Sequence, residues 1–175
     1  RLSVGVSLLV AGYGVAQLAG VADIHQGGVR LDATLGNATY LAIYMVFHIF
    51  LNLLLLSWSE KGSIWRWVYW FAIVTEAVIL YNTATRGAIL GLIGGLFLTG
   101  ILVAIFEKKN PFLRKVAVGV VLALVLLVGI FTMFKNSDFV RNSPVMTRFS
   151  ELSFSDKTTD SRFAIWGMAW EGFKE

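Results

Sequence analysis

Polar and apolar positions along the chain separate into long blocks. No Asp, Glu, Lys or Arg occurs in 2–22, 33–59, 87–106 or 116–134, and runs of 18 or more mostly apolar residues are long enough to cross a bilayer as helices. A fifth block, 67–84, is apolar apart from Glu76 near its middle. It opens on Trp65, Trp67, Tyr69 and Trp70, aromatics of the kind that gather where a membrane meets water. The pattern predicts an all-α fold, a polytopic transmembrane helix bundle of about five spans at 2–21, 39–58, 67–84, 87–106 and 116–134. The membrane region is then 1–134. The first block lacks a basic leader and a small-residue cleavage site, so it reads as a retained span.

The tail, 135–175, has a different pattern. It carries six basic and six acidic residues, too many for a span, and is expected to begin a large extracytoplasmic loop. Turn signals fall at Asn136-Ser137-Asp138 and at Asn142-Ser143-Pro144, the second resembling a helix cap followed by proline in the first helical position. A further helix is expected from about Asp160-Ser161. Its Phe163, Trp166, Trp170 and Phe173 fall at i, i+3, i+7 and i+10 and make one aromatic face, suited to lying on a membrane surface. A start at Arg1 and an end inside this helix predict a piece of a longer membrane protein.

Composition sharpens the picture. Hydrophobic residues make up 57% of the 175 residues and charged ones 15%, against about 25% charged in a soluble domain. That excludes a soluble enzyme, a disordered chain and a nucleic-acid-binding domain. The net charge of +4 is no nucleic-acid signal, since four of the 15 basic residues sit in 108–115. Cysteine is absent, which removes disulfides, thiolate nucleophiles and thiolate metal sites. The two histidines, His25 and His48, are far apart and offer no metal-ligand spacing; no metal or other cofactor is expected.

Basic residues in short loops set orientation. Arg1, Lys61, Arg66 and the four basic residues of 107–115 fall on one side, against Arg30 and Arg86 on the other. The rule places 59–66 and 107–115 in the cytoplasm, and 22–38, 82–86 and 135–175 outside. Arg30, Arg86 and Arg162 then all face outward near the membrane surface, where the same rule disfavours arginine. Guanidinium binds phosphate in a bidentate fork and stays charged at any physiological pH, so three of them suit a lipid-linked pyrophosphate. The plainer reading pairs each with a carboxylate or lipid headgroup, Asp32 for Arg30 and Asp160 or Glu171 for Arg162.

Other polar residues have two readings each. Glu76 at mid-membrane must be protonated, paired or facing a polar cavity, because an unpaired charge there costs on the order of 3 kcal/mol. It is either a functional carboxylate or a helix-to-helix hydrogen bond. His48, one turn before Asn52, reads first as an interhelical hydrogen bond, and His25 as a surface residue. Asn37-Ala38-Thr39 fits a glycosylation acceptor but abuts a span; Gly36-Asn37 better explains a turn, since both residues tolerate left-handed backbone angles. Gly87, Gly91 and Gly95, and Gly12, Ala16 and Gly20, repeat every four residues, as where helices touch in lipid.

Three strings in order resemble the O-antigen ligase and polymerase superfamily: Arg30 followed by Thr34-Leu35-Gly36-Asn37 and Tyr40-Leu41-Ala42; Thr85-Arg86-Gly87-Ala88 ahead of a glycine-rich span; and Ser161-Arg162 followed by Trp166 and Ala169. The resemblance covers about 30–170. It implies a membrane glycosyltransferase of the GT-C-like architecture in the bacterial cytoplasmic membrane. Such an enzyme passes a glycan from undecaprenyl pyrophosphate, on the outer face, to an acceptor lipid, glycan or protein, without a metal ion. It further implies catalytic roles for Arg30, Arg86 and Arg162, substrate-binding positions at Gly36, Asn37 and Trp166, and an acceptor-serving histidine beyond Glu175 that neither His25 nor His48 replaces. Two other functions compete: a transporter working through Glu76 and His48, and a membrane scaffold without catalysis.

Overall fold

The computed structural model describes residues 1–25, 30–150 and 157–174. Among them every regular element is helical. The chain divides into two units, 1–135 and 136–175.

Among its described residues the first unit holds five α-helices, α1 (Leu2–Leu18), α2 (Ala38–Trp58), α3 (Ile64–Asn82), α4 (Arg86–Phe106) and α5 (Pro111–Phe134), with a 3-10 turn at Ala33–Leu35 between α1 and α2. By length and composition α2 to α5 can cross a membrane, whereas α1 is shorter. An apolar helix is the natural state of such sequences in lipid, because it pairs each backbone N–H and C=O within one segment.

Helix ends are set by local chemistry rather than by where charge begins. The first helix stops at Leu18, not at 21. Gly20 takes φ +71°, its N–H bonds Gln17 O at 3.1 Å, and Val21 N–H bonds Ala16 O at 2.9 Å; these two bonds close the helix with a left-handed glycine just past the cap. At 17 residues, α1 is about 25 Å long. α3 starts at Ile64, three residues before the expected 67, because Ser63 Oγ accepts from Trp65 N–H. α5 starts at Pro111 rather than 116: Asn110 Oδ1 accepts from Leu113 N–H, and proline fills the first position.

α1, α2 and α3 pack together around Ala11, Leu41, Ala42, Met45, Ile49, Ile79 and Leu80. A second cluster of Val4, Leu56, Tyr69 and Ala72 lies nearer the loop that joins α2 to α3, where the Arg1 guanidinium stands 4.7 Å from the Trp65 ring centre. α4 packs on α2 and on α5. The glycines that permit these approaches match the expected rows only at Gly95; Gly14 and Gly100 lie outside them. A Cβ on Gly14 would meet Ile79, one on Gly95 would come within 2.7 Å of Phe50, and one on Gly100 within 2.6 Å of Val121. Gly12, Gly20, Gly87 and Gly91 face open space. Spacing alone shows that a backbone can approach, not which face meets a neighbour.

Outside those contacts α4 and α5 are bare. Leu90, Leu98, Leu102, Ile105, Leu122, Leu126 and Ile130 are all exposed. A continuous apolar surface of this extent is foreign to a water-soluble protein and is the lipid-facing surface of a membrane protein.

The second unit holds α6 (Asp138–Arg141), α7 (Pro144–Ser150) and α8 (Lys157–Lys174). Ser143 Oγ accepts from Met146 N–H at the start of α7. The Thr147 hydroxyl lies within 3.0 Å of both Val140 O and Arg141 O, tying α7 to α6. α8 begins at Lys157, ahead of the expected Asp160. Its Phe163, Trp166, Trp170 and Phe173 are exposed, with edge-to-face rings at Phe163–Trp166 and stacked rings at Trp170–Phe173.

Candidate functional site at the Arg30–Arg86 end

One end of the first unit gathers the end of α1, the start of α2, the end of α3 and the start of α4. Gln17, on the last turn of α1, is buried and fully engaged. Its Nε2 donates to Asp23 O and to Asp32 Oδ1, both at 2.7 Å, and its Oε1 accepts from Ala33 N–H at 2.8 Å. Asp32 has no exposed surface; its Oδ2 accepts from His25 N–H at 2.9 Å, with the exposed His25 ring nitrogen 3.7 Å away. Leu31 is buried in the core, and its N–H reaches Asn82 O at 3.2 Å. The segment 30–33 is thus pinned to α1 on one side and to α3 on the other. Residues 26–29, which include Gly27 and Gly28 ahead of Arg30, lie outside the described residues.

Arg30, half-buried, reaches from this segment to the α3–α4 turn. Its Nε donates to Thr83 O at 3.0 Å and its Nη2 to Thr85 Oγ1 at 3.2 Å. Arg86 is the next residue in the chain and the first of α4, inside the helix rather than in the loop before it. Arg30 and Arg86, 56 positions apart in sequence, therefore converge on one turn. That turn is held by the Thr83 hydroxyl, which donates to Leu80 O at 2.7 Å.

Two features mark this turn. Ala33 and Ala84 take φ +43° and +50° and are, among the described residues, the non-glycines with left-handed angles. Each costs on the order of 1 kcal/mol or more, and such conformations persist where the surroundings over-determine them. They lie on the two segments that face each other across the Arg30 fork. The second feature is a missing cap. Asn37 caps α2 through bonds from Thr39 and Tyr40 N–H, Ser63 caps α3 and Asn110 caps α5. Thr85 makes no side-chain cap bond to α4; its hydroxyl oxygen takes Arg30 instead. The first N–H groups of α4 are therefore left without a side-chain cap beside Arg86. A helix N-terminus carries about half a positive charge, and a guanidinium beside it adds to the attraction for an anion.

The other expected residues fall elsewhere. Gly36 adopts φ +63° and shapes the turn into α2. Asn37 does not share that left-handed geometry; it is extended, at φ −147°, and spends its oxygen on the cap. Glu76 has no exposed surface. Its Oε1 lies 2.7 Å from Ser7 Oγ, and Asn52 Nδ2 donates to Oε1 and Oε2 at 3.1 and 3.0 Å, joining α1, α2 and α3. His48 stands between Tyr44 O and Ser3 Oγ, each at 2.9 Å. Both are helix-to-helix ties, and neither belongs to the arginine end. Arg162 and Trp166 lie on α8 in the second unit; Trp166 is 66% exposed, and the side chains of Arg162 and Asp160 lie outside the described residues. Among the described residues no three of His, Asp and Glu gather as a metal site requires.

Sequence reasoning missed Gln17 and Ser7. Their signal was available: Val4, Ser7, Ala11, Gly14 and Gln17 form the buried stripe of α1, and a polar residue on a buried stripe needs a partner.

A protein-family model described as O-antigen ligase matches residues 71–175, more than half of the chain. The chain belongs to the O-antigen ligase family. No curated protein and no solved structure matches it. The matched stretch contains Glu76, Arg86, Arg162 and Trp166, and begins after Arg30, Gly36, Asn37 and His48. The family assignment makes this a membrane protein of O-antigen-ligase type, with glycosyltransferase-like activity on glycan and lipid-linked substrates.

Proposed function

We propose that the protein transfers a glycan from undecaprenyl pyrophosphate to an acceptor glycan, lipid or protein on the outer face of the bacterial cytoplasmic membrane. Arg30 and Arg86 bind the diphosphate, and Arg162 is the third catalytic arginine that the family resemblance implies. The observation that carries this reading is the uncapped N-terminus of α4, which starts on Arg86 while Arg30 is anchored on the residue before it. A helix start without a side-chain cap and two guanidinium-bearing residues on or beside it are features that favour an anionic ligand there.

The reaction asks little more of these residues. An acceptor hydroxyl attacks the anomeric carbon of the first sugar. The bond from that carbon to the pyrophosphate oxygen breaks, the lipid pyrophosphate leaves with the electron pair, and the acceptor proton passes to a base. Neutralising the departing diphosphate lowers the barrier, because charge grows on it in the transition state; one preorganised donor at such a position is worth about 3–4 kcal/mol. By the family resemblance the base is a histidine farther along the large loop.

In the full-length protein Arg30→Ala and Arg86→Ala should each cut glycan transfer by about a hundredfold or more, with membrane insertion and expression unchanged. Wild-type transfer in either variant would remove that arginine from the donor site.

A further inference from the structure

We infer that Gln17 and Asp32 are positioning residues for the donor site: they fix the backbone from which Arg30 reaches the α3–α4 turn. The inference rests on the reading of Arg30 as a diphosphate ligand.

Three observations carry it. The first is stoichiometry. The Gln17 amide commits both ends, its nitrogen to Asp23 O and Asp32 Oδ1, its oxygen to Ala33 N–H. An amide satisfied from two directions holds one orientation. The second is location. The Gln17 contacts fall on Asp32 and Ala33, two and three residues after Arg30, while Leu31 between them is fixed by Asn82 O and by burial. The third is strain. Ala33 is held at φ +43°, and the bond from its N–H to Gln17 Oε1 is one of the restraints that keep it there. Releasing it lets 31–33 relax toward ordinary angles and carries the root of the Arg30 side chain with it. The fork to Thr83 O and Thr85 Oγ1 then loosens. Misplacing a ligand by about 1 Å can cost about a hundredfold in rate.

The test uses the full-length protein and transfer measured against donor concentration. Gln17→Met keeps the length of the side chain and removes its hydrogen bonds. Because it leaves the Asp32 carboxylate buried with fewer donors, Gln17→Met/Asp32→Asn is made alongside it, so that no buried charge is stranded. Both should insert and remain folded, and both should lose about tenfold or more in kcat/KM for the donor. The deciding arm is made in an Arg30→Lys background, where the guanidinium fork is already gone. There Gln17→Met should cost less than about threefold, since residues acting through one another are not additive.

A folded Gln17→Met/Asp32→Asn protein with wild-type kcat/KM would overturn the inference. So would an equal loss from Gln17→Met in both backgrounds, which would make Gln17 a general support of the fold. If Arg30→Ala itself retains wild-type transfer, the donor-site reading has failed first and takes this inference with it. If Arg30→Ala is inactive while the Gln17 variants are not, only the positioning role falls.

Discussion

At mid-span Ser7 and Asn52 both bind Glu76 across three helices; at the far end of the same helices Gln17, Asp32 and Arg30 bind loops and turns. Both regions bury polar groups, yet they use them differently. The mid-span groups face inward and meet at the Glu76 carboxylate, with Asn52 Oδ1 buried and without a hydrogen-bond partner, so what they accomplish is to fasten α1, α2 and α3. At the arginine end the buried members also end on each other, but the network stops short of α4. The residue that should cap that helix is occupied by Arg30, and α4 starts at Arg86 without a side-chain cap. A polar cluster closed on itself is a fastener. One that holds the backbone beside two arginines and leaves a helix start without a side-chain cap is the kind of frame the donor-site proposal needs. That distinction separates Glu76 and His48 from Arg30 and Arg86 more sharply than membrane depth does.

The largest effect on folding should come from the closed cluster. Glu76→Ala removes the hydrogen bonds to Ser7 and Asn52 and opens a void at a fully buried position, leaving two buried polar side chains without their partner. The expected cost is about 2–3 kcal/mol of stability, read as a lower midpoint for thermal loss of the monodisperse full-length protein in detergent. Glu76→Gln should cost less than about 1 kcal/mol. A glutamine nitrogen at that place donates to Ser7 Oγ, which frees the one serine hydrogen for Val4 O, 2.9 Å away. Glycan transfer by Glu76→Gln should match wild type. A stable Glu76→Gln protein without transfer would return the carboxylate to the catalytic candidates.

How much of this could be read from the sequence depends on what each feature rests on. The helical segments were legible because absence of charge over about 20 residues leaves the backbone few other solutions in lipid. Helix ends were less so. Gly20 ends α1 early and Asn110-Pro111 starts α5 early, through single hydrogen bonds that a hydropathy pattern averages away. Arg30 and Arg86 were legible as isolated cations in short loops otherwise poor in basic residues. Their convergence was not, because it depends on Arg30 folding back onto Thr83 and Thr85, 53 and 55 positions along the chain. Gln17 was legible as a polar residue on a buried stripe, but its partners were not: Asp23, Asp32 and Ala33 lie between α1 and α2, at positions that no helical period relates to it.

Helix contacts give the next effect in size, and they test the glycine rows directly. Gly100→Ala places a methyl group 2.6 Å from Val121 Cγ2 and 3.4 Å from Ala117 O. Valine has few rotamers in a helix, so α4 and α5 must separate, at a cost of about 1–2 kcal/mol. Gly91→Ala meets nothing and should be neutral or stabilising by up to about 1 kcal/mol from helix propensity. Equal destabilisation by the two would mean that Gly91, like Gly95, faces a neighbouring helix.

The smallest shift in stability bears most directly on the difference between the two polar regions, because it closes the open one. Thr85→Asp gives α4 the cap that Asn37, Ser63 and Asn110 give their helices. A carboxylate there accepts from the first-turn N–H groups and lies beside Arg30 and Arg86, so stability should rise by about 0.5–1 kcal/mol. The same carboxylate occupies the place of the anion. Donor binding and transfer should therefore fall while the thermal midpoint rises, an opposition that damage to the fold cannot produce. Thr85→Ser, which keeps the hydroxyl that takes the Arg30 bond, should leave both unchanged. A Thr85→Asp protein that is more stable and transfers glycan at the wild-type rate would show that the start of α4 holds no diphosphate, and Arg86 would then need another explanation.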